Sequence, residues 1–167
     1  HGGPAHAQGD MRDTPAHVPP MPIGLPDEVA GMVAHFVDVA RVVTGLSQLK
    51  VFAFGPRPQD FYACNAPLKP LYTLGLEVME NSELDLYRAY RAAADETRTI
   101  KAIARDMAAE LGAGNAHPEK LEALAQFELT LKTFFEANLG SRRFGVFANK
   151  CWPAFEPTFG FVPCFVN

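Results

Sequence analysis

The clearest periodic signal in the chain runs from residue 86 to residue 111. Leu86, Tyr90, Ala93, Thr97, Ile100, Ala104, Met107 and Leu111 recur at alternating spacings of four and three. That rhythm places them on one helical face. It predicts a helix of roughly 30 residues, about 45 Å long. Ser82, followed three residues later by Asp85, has the form of a helix-starting cap. The small residues Ala93, Thr97 and Ala104 leave room for a neighbouring helix.

The segment Gly112 to Pro118 is a breaker loop, and a second long helix is predicted from Pro118-Glu119 to Asn138-Leu139-Gly140. Its apolar side is Leu121, Leu124, Ala125, Leu131, Phe134 and Phe135. Two long helices joined so closely make an antiparallel hairpin. Upstream, Pro26-Asp27-Glu28 suits a helix start. Val29, Met32, Val33, Phe36, Val37, Ala40 and Val43 then form a stripe that ends at Thr44-Gly45. Leu46 to Phe54 is too short to assign between a helical turn and a strand, and Leu68 to Glu80 reads as a helix with Leu71, Leu74 and Val78 inward. The expected fold is an all-α helical bundle over 27–140, built on the long antiparallel helix hairpin.

Irregular arms flank that bundle. Residues 1–26 hold six prolines and four glycines without apolar periodicity, which favours extended, polyproline-like chain. Residues 141–167 form an aromatic, proline-rich arm carrying Phe144, Phe147, Trp152, Phe155, Phe159, Phe161 and Phe165. Pro153, Pro157 and Pro163 forbid one continuous helix there. Apolar side chains at this density must lie on the protein's own body or on a partner. Phe and Trp concentrate in interface cores, so these seven residues are the candidate partner-binding set.

Composition narrows the classes. At 167 residues, 48% hydrophobic and 20% charged, the chain can bury a real core. A net charge of -4 gives no electrostatic reason to expect nucleic acid. No apolar run reaches the roughly 18–20 residues needed to cross a bilayer, so the chain is expected to be soluble or peripheral to a membrane complex, not membrane-spanning. His1 rather than Met stands first, which points to a targeting segment removed from an exported or organellar protein. Cys151 and Cys164 flank the aromatic arm, separated by turn-forming Pro153, Pro157, Gly160 and Pro163, and a bridge between them would leave Cys64 unpaired. A bridge from Cys64 to an arm cysteine, or three free thiols, are the other arrangements.

Candidate chemistry is sparse. His1, His6, Met11, His17 and Met21 offer imidazole and thioether donors suited to copper, although scattered histidines are common in terminal arms. The chain has no Gly-rich phosphate loop, no Cys-x-x-Cys, no His-Glu-x-x-His and no Gly-x-Ser-x-Gly. Its helical carboxylates mostly have basic neighbours, as on a solvated face. No catalytic residue is assigned.

The ten-residue stretch from Phe36 to Gly45, FVDVARVVTG, resembles a segment in the small subunits of membrane-bound flavin sugar dehydrogenases. The resemblance implies an exported helical companion of a catalytic chain and carries over no functional residue. The expected function is therefore a non-catalytic accessory subunit. It would dock through its arms onto the other protein subunits of a larger membrane-associated or redox complex. The alternative is an exported helical protein that binds copper or a small apolar ligand.

Overall fold

The computed structural model describes residues 26–56 and 67–166. The chain divides into two units, His1–Val42 and Val43–Asn167. The expected extended arm over 1–26 lies outside the described residues except for Pro26, as does Cys64.

Helix α1, Pro26–Ser47, supplies the described part of the first unit and enters the second with its last residues. Pro26 leads it, and Asp27 and Glu28 sit in its first turn, where carboxylates complement the exposed N–H groups. Gly45 does not stop it; the helix runs on to Ser47, whose hydroxyl donates to the Thr44 carbonyl at 2.8 Å. None of its residues is buried.

The second unit corrects the fold expected from sequence. It is mixed α/β, with short helices around a three-stranded parallel sheet, not an all-α bundle with a long antiparallel hairpin. Strand β1, Leu49–Phe54, lies between β2, Glu77–Asn81, and β3, Phe144–Asn149. Parallel neighbours need crossover connections. Helix α2, Lys69–Thr73, lies between β1 and β2 in the chain. Helices α3, Glu83–Ala92, α4, Thr97–Leu111, and α5, Leu121–Asn138, come between β2 and β3. A short helix α6, Phe155–Phe159, follows.

Each departure from the sequence expectation has a local cause. Over 68–80, Gly75 adopts φ +84° after α2, and the chain turns into β2 instead of continuing as a helix. The long helix expected over 83–111 is broken by a 3-10 turn, Ala93–Asp95, with Glu96 at ψ 43°. Gln126 Nε2 on α5 donates to the Tyr90 carbonyl at 2.7 Å, so a tertiary contact satisfies an acceptor near the end of α3. The predicted cap forms: the Ser82 hydroxyl accepts from the Asp85 N–H, and Asp85 Oδ2 accepts from the Ser82 N–H at 2.8 Å. The Ser82 hydroxyl also donates to Asp85 Oδ2 at 2.7 Å, and this bond, followed by that from the Ser82 N–H, holds the Asp85 carboxyl below its ordinary range.

Register fixes which residues stand side by side in the sheet. Lys50 pairs with Glu77 and Gly145; Phe52 pairs with Met79 and Phe147; Phe54 pairs with Asn81 and Asn149. Lys50, Phe52 and Phe54 are the buried positions of β1. Phe134 of α5 approaches the Phe52 and Phe54 rings, with centroids 5.9 and 5.0 Å apart. A Cβ on Gly145 would stand 2.3 Å from the Phe135 ring and 2.9 Å from that of Phe52, so only hydrogen fits there.

The core has two parts. Phe52, Phe54, Leu86, Phe127, Leu131, Phe155 and Phe161 form one cluster. Ile100, Ala104 and Met107 of α4 pack with Leu121 and Ala125 of α5 in the other. The predicted stripe is therefore buried at both ends but interrupted at the 3-10 turn, where Ala93 is half-buried and Thr97 exposed. Phe127 is fully buried and touches the rings of Tyr90, Phe155, Phe159 and Phe161. Phe127→Ala should cost about 3–5 kcal/mol in a denaturant titration. Phe36→Ala, at a position 70% exposed, should change stability by no more than about 0.5 kcal/mol.

Candidate functional site

The strand order β2-β1-β3 reverses direction at β1, and open parallel sheets bind ligands beyond the carboxyl ends of their strands at such a switch point. A cavity of about 670 Å³ lies there. Val51, Ala53, Val78 and Ala148 form its sheet wall, and Leu68 and Leu71 close one side. These sheet residues occupy the face opposite the buried Phe52 and Phe54. Glu80 and Lys150 supply side-chain charge at the cavity.

Lys150 also lines a second cleft of about 380 Å³, walled by Phe54, Leu86, Tyr87, Phe155 and Phe159. Its ammonium lies 3.6 Å from Glu83 Oε2 at the start of α3. Gly55, at φ +81°, makes the turn that follows β1, and a Cβ there would come within 2.7 Å of Glu83 Cγ. The glycine therefore lets Glu83 approach the strand end beside Lys150. The pair stands between an apolar cavity and an aromatic cleft.

A second polar constellation sits at the opposite, amino ends of the strands. Lys50 Nζ donates to Glu77 Oε1 at 2.8 Å and to the Asn138 carbonyl at 2.6 Å. Arg142 Nε donates to Glu77 Oε2 at 3.1 Å, and its Nη1 donates to the carbonyls of Gly75, at 3.0 Å, and Ser47. The hydrogen bond from Lys50, followed by that from Arg142, holds the Glu77 carboxyl below its ordinary range against an opposing desolvation effect. All three side chains are engaged with the protein itself, so this constellation clasps the sheet. Sequence inspection missed it. Its trace was a lysine inside the apolar run Leu-Lys-Val-Phe-Ala-Phe and a glutamate heading Glu-Val-Met-Glu-Asn.

The aromatic residues expected to bind a partner separate into two groups. Phe155 and Phe161 are buried, and Phe147 and Phe159 are half-buried against the same core. Phe155 and Phe159 stack with centroids 4.2 Å apart and planes 13° from parallel. Phe144, Trp152 and Phe165 remain exposed, at 50%, 56% and 41%. Phe144 and Phe147 belong to β3, so residues 144–149 are part of the sheet. The segment 141–167 thus packs largely on the protein's own body, with three aromatic side chains left outward.

The possible copper ligands His1, His6, Met11, His17 and Met21 lie outside the described residues. Among the described residues no group of three or more His, Cys, Asp and Glu side chains is placed to hold a metal ion. His35 is exposed on α1, and His117 meets Glu119 at 3.3 Å in an exposed turn. Cys151 and Cys164 are free and exposed, not joined as the turn-rich sequence between them led us to expect.

Two measurements test this description. Glu77 has a depressed pKa, so its pairing stabilises the fold at pH values above the unfolded pKa. That contribution disappears as pH falls through the folded value. Glu77→Gln should therefore lower the denaturation midpoint at neutral pH, and its deficit against the wild type should close in acid. A deficit independent of pH would contradict the assignment. Both Cys151 and Cys164 should react with maleimide in the native, unreduced protein, each adding one label by peptide mass spectrometry; protection of both would show a bridge.

No protein-family model, no curated protein and no solved structure matches this chain, so its function has to be read from its own residues.

Proposed function

We propose that this chain is an accessory subunit that docks onto a larger protein assembly, membrane-associated or redox, and contributes contact surface to it and no catalytic centre. The observation that supports this reading is α1, a helix of 22 residues with no buried residue. On its circumference Met32, Val33, Phe36, Val37, Val39 and Val43 share one half, with exposures from 37% to 70%. Asp27, His35, Asp38 and Arg41 share the other half with one exposed apolar residue, Val42. Isolated helices gain little from propensity alone and draw stability from packing an apolar face. An uncovered apolar face of this length calls for a partner.

Three occupants of that face can be weighed. The helix is long and apolar enough to cross a bilayer. Crossing would place Asp38 and Arg41 near the bilayer centre, at about 2.5–3.5 kcal/mol each. The nine large apolar residues between Val29 and Leu46 return only about 0.3–0.6 kcal/mol each, so the balance opposes insertion. Lying on a membrane surface favours a lysine- and arginine-rich polar face. Here that face carries Asp27, Glu28 and Asp38 against Arg41, which anionic lipid would repel. A protein groove that covers the apolar half and leaves the charged half in water has neither penalty. Exposed Trp152, Phe144 and Phe165 offer further anchors of the type enriched at interfaces.

The test compares the wild-type chain with the double variant Val33→Asp, Phe36→Asp. In native size-exclusion chromatography of cells making each form, the wild type should elute in one high-mass complex and the variant at monomer size. Both purified chains should keep the same melting temperature, because neither residue is buried in the fold. A wild-type chain that elutes only as a monomer would sink the proposal. Sedimentation of the wild type with phosphatidylcholine vesicles, lost in the variant, would replace the protein partner by a lipid surface.

A further inference from the structure

We propose that the cavity beyond the carboxyl ends of the strands binds a small apolar molecule carrying a protonated amine, and that Glu80 holds the amine. The site stands independently of the docking role of α1. Its volume, about 670 Å³, lies within the usual range for small-molecule sites. Its walls are the two lower rows of the open sheet face. Val51 lies beside Val78, and Ala53 lies between Glu80 and Ala148. Ala53 beside Glu80 and Ala148 beyond it are small, so a ligand can lie across the sheet and still reach the carboxylate at its edge.

The charge of the ligand follows from the groups around the cavity. Glu80 is exposed, and among the described residues it has neither an ion pair nor a side-chain hydrogen bond. Lys150, the cation among the described lining residues, already faces Glu83 at 3.6 Å. Among the described residues, Glu80, Glu83 and Lys150 together leave one negative charge unbalanced. A ligand carboxylate would add a second and would compete with Glu83 for the ammonium. An ammonium group instead gives Glu80 a counter-charge as water leaves, which removes the cost of desolvating an unpaired carboxylate. The apolar portion then covers Val51, Val78, Leu68 and Leu71, burying surface that is otherwise wet.

Heptylamine, heptanol and heptanoate, matched in apolar length and different in charge, test the assignment on the full chain. Titration calorimetry should show heptylamine binding about tenfold more tightly than heptanol, the fold-change expected of one charge-assisted hydrogen bond, with heptanoate weakest. Methyl resonances of Val51, Val78 and Ala148 should shift during the titration. Glu80→Gln, at an exposed position, should fold normally by circular dichroism and should abolish the preference for the amine while leaving heptanol affinity unchanged. Absence of binding by all three probes would overturn the proposal. So would equal affinity for amine and carboxylate, a preference that survives Glu80→Gln, or methyl shifts confined to α1.

Discussion

A lysine that is 8% exposed holds this fold in register. Removing an ammonium from water costs several kcal/mol unless a carboxylate and further acceptors replace the water. Lys50 therefore requires an acid at the neighbouring position of β2, and Glu77 occupies it. It also requires a carbonyl from above, and Asn138 provides one where α5 ends. Once α5 ends there, Arg142 can reach Glu77 and the carbonyls of Ser47 and Gly75, and β3 begins two residues later beside Leu49. A one-residue slip of β1 would move Lys50, Phe52 and Phe54 together to the other face. The ion pair and the aromatic layer select the same register.

The two faces of the sheet meet different fates. One carries Phe52, Phe54, Met79 and Phe147 beneath α5, with Phe155 and Phe161 completing the same cluster. The other offers valines, alanines and Glu80 to a cavity. Parallel sheets are ordinarily covered on both faces. Apolar surface beyond the needs of this core thus appears separately on the sheet and along α1. The interior accounts for most of the aromatic content of 141–167.

Much of the helical structure was legible in the chain. The stripe from Leu86 to Leu111, the Ser82–Asp85 cap and the helix ending at Asn138 follow from local chemistry, and the structure has each of them apart from the break at Ala93–Asp95. That break has neither glycine nor proline to announce it; the Gln126 contact lies 36 residues away. The strands were not legible for a different reason. In a parallel sheet both faces are apolar, so β1 and β3 show no alternation of apolar and polar residues, and short apolar runs fit a helix or a strand equally well. Leu71, Leu74 and Val78 kept helical spacing across Gly75 and concealed β2. At the candidate site, Glu80, between Met79 and Asn81 in β2, had no local mark; its place comes from the pairing of Ala53 with Glu80 and with Ala148.

The central strand must also wait for its second neighbour. Leu49 pairs with Phe144, 144 minus 49 or 95 residues further along, so β1 emerges from synthesis long before the sheet can close. Closing so large a loop is slow, and an apolar strand with open edges is a template for self-association in the meantime. Of the six residues Leu-Lys-Val-Phe-Ala-Phe, only Lys50 bears a charge. A charge within an aggregation-prone run keeps such segments apart. The ammonium that locks the register of the finished sheet thus serves the nascent chain as a gatekeeper, repelling its copies until Glu77 and Asn138 arrive to claim it.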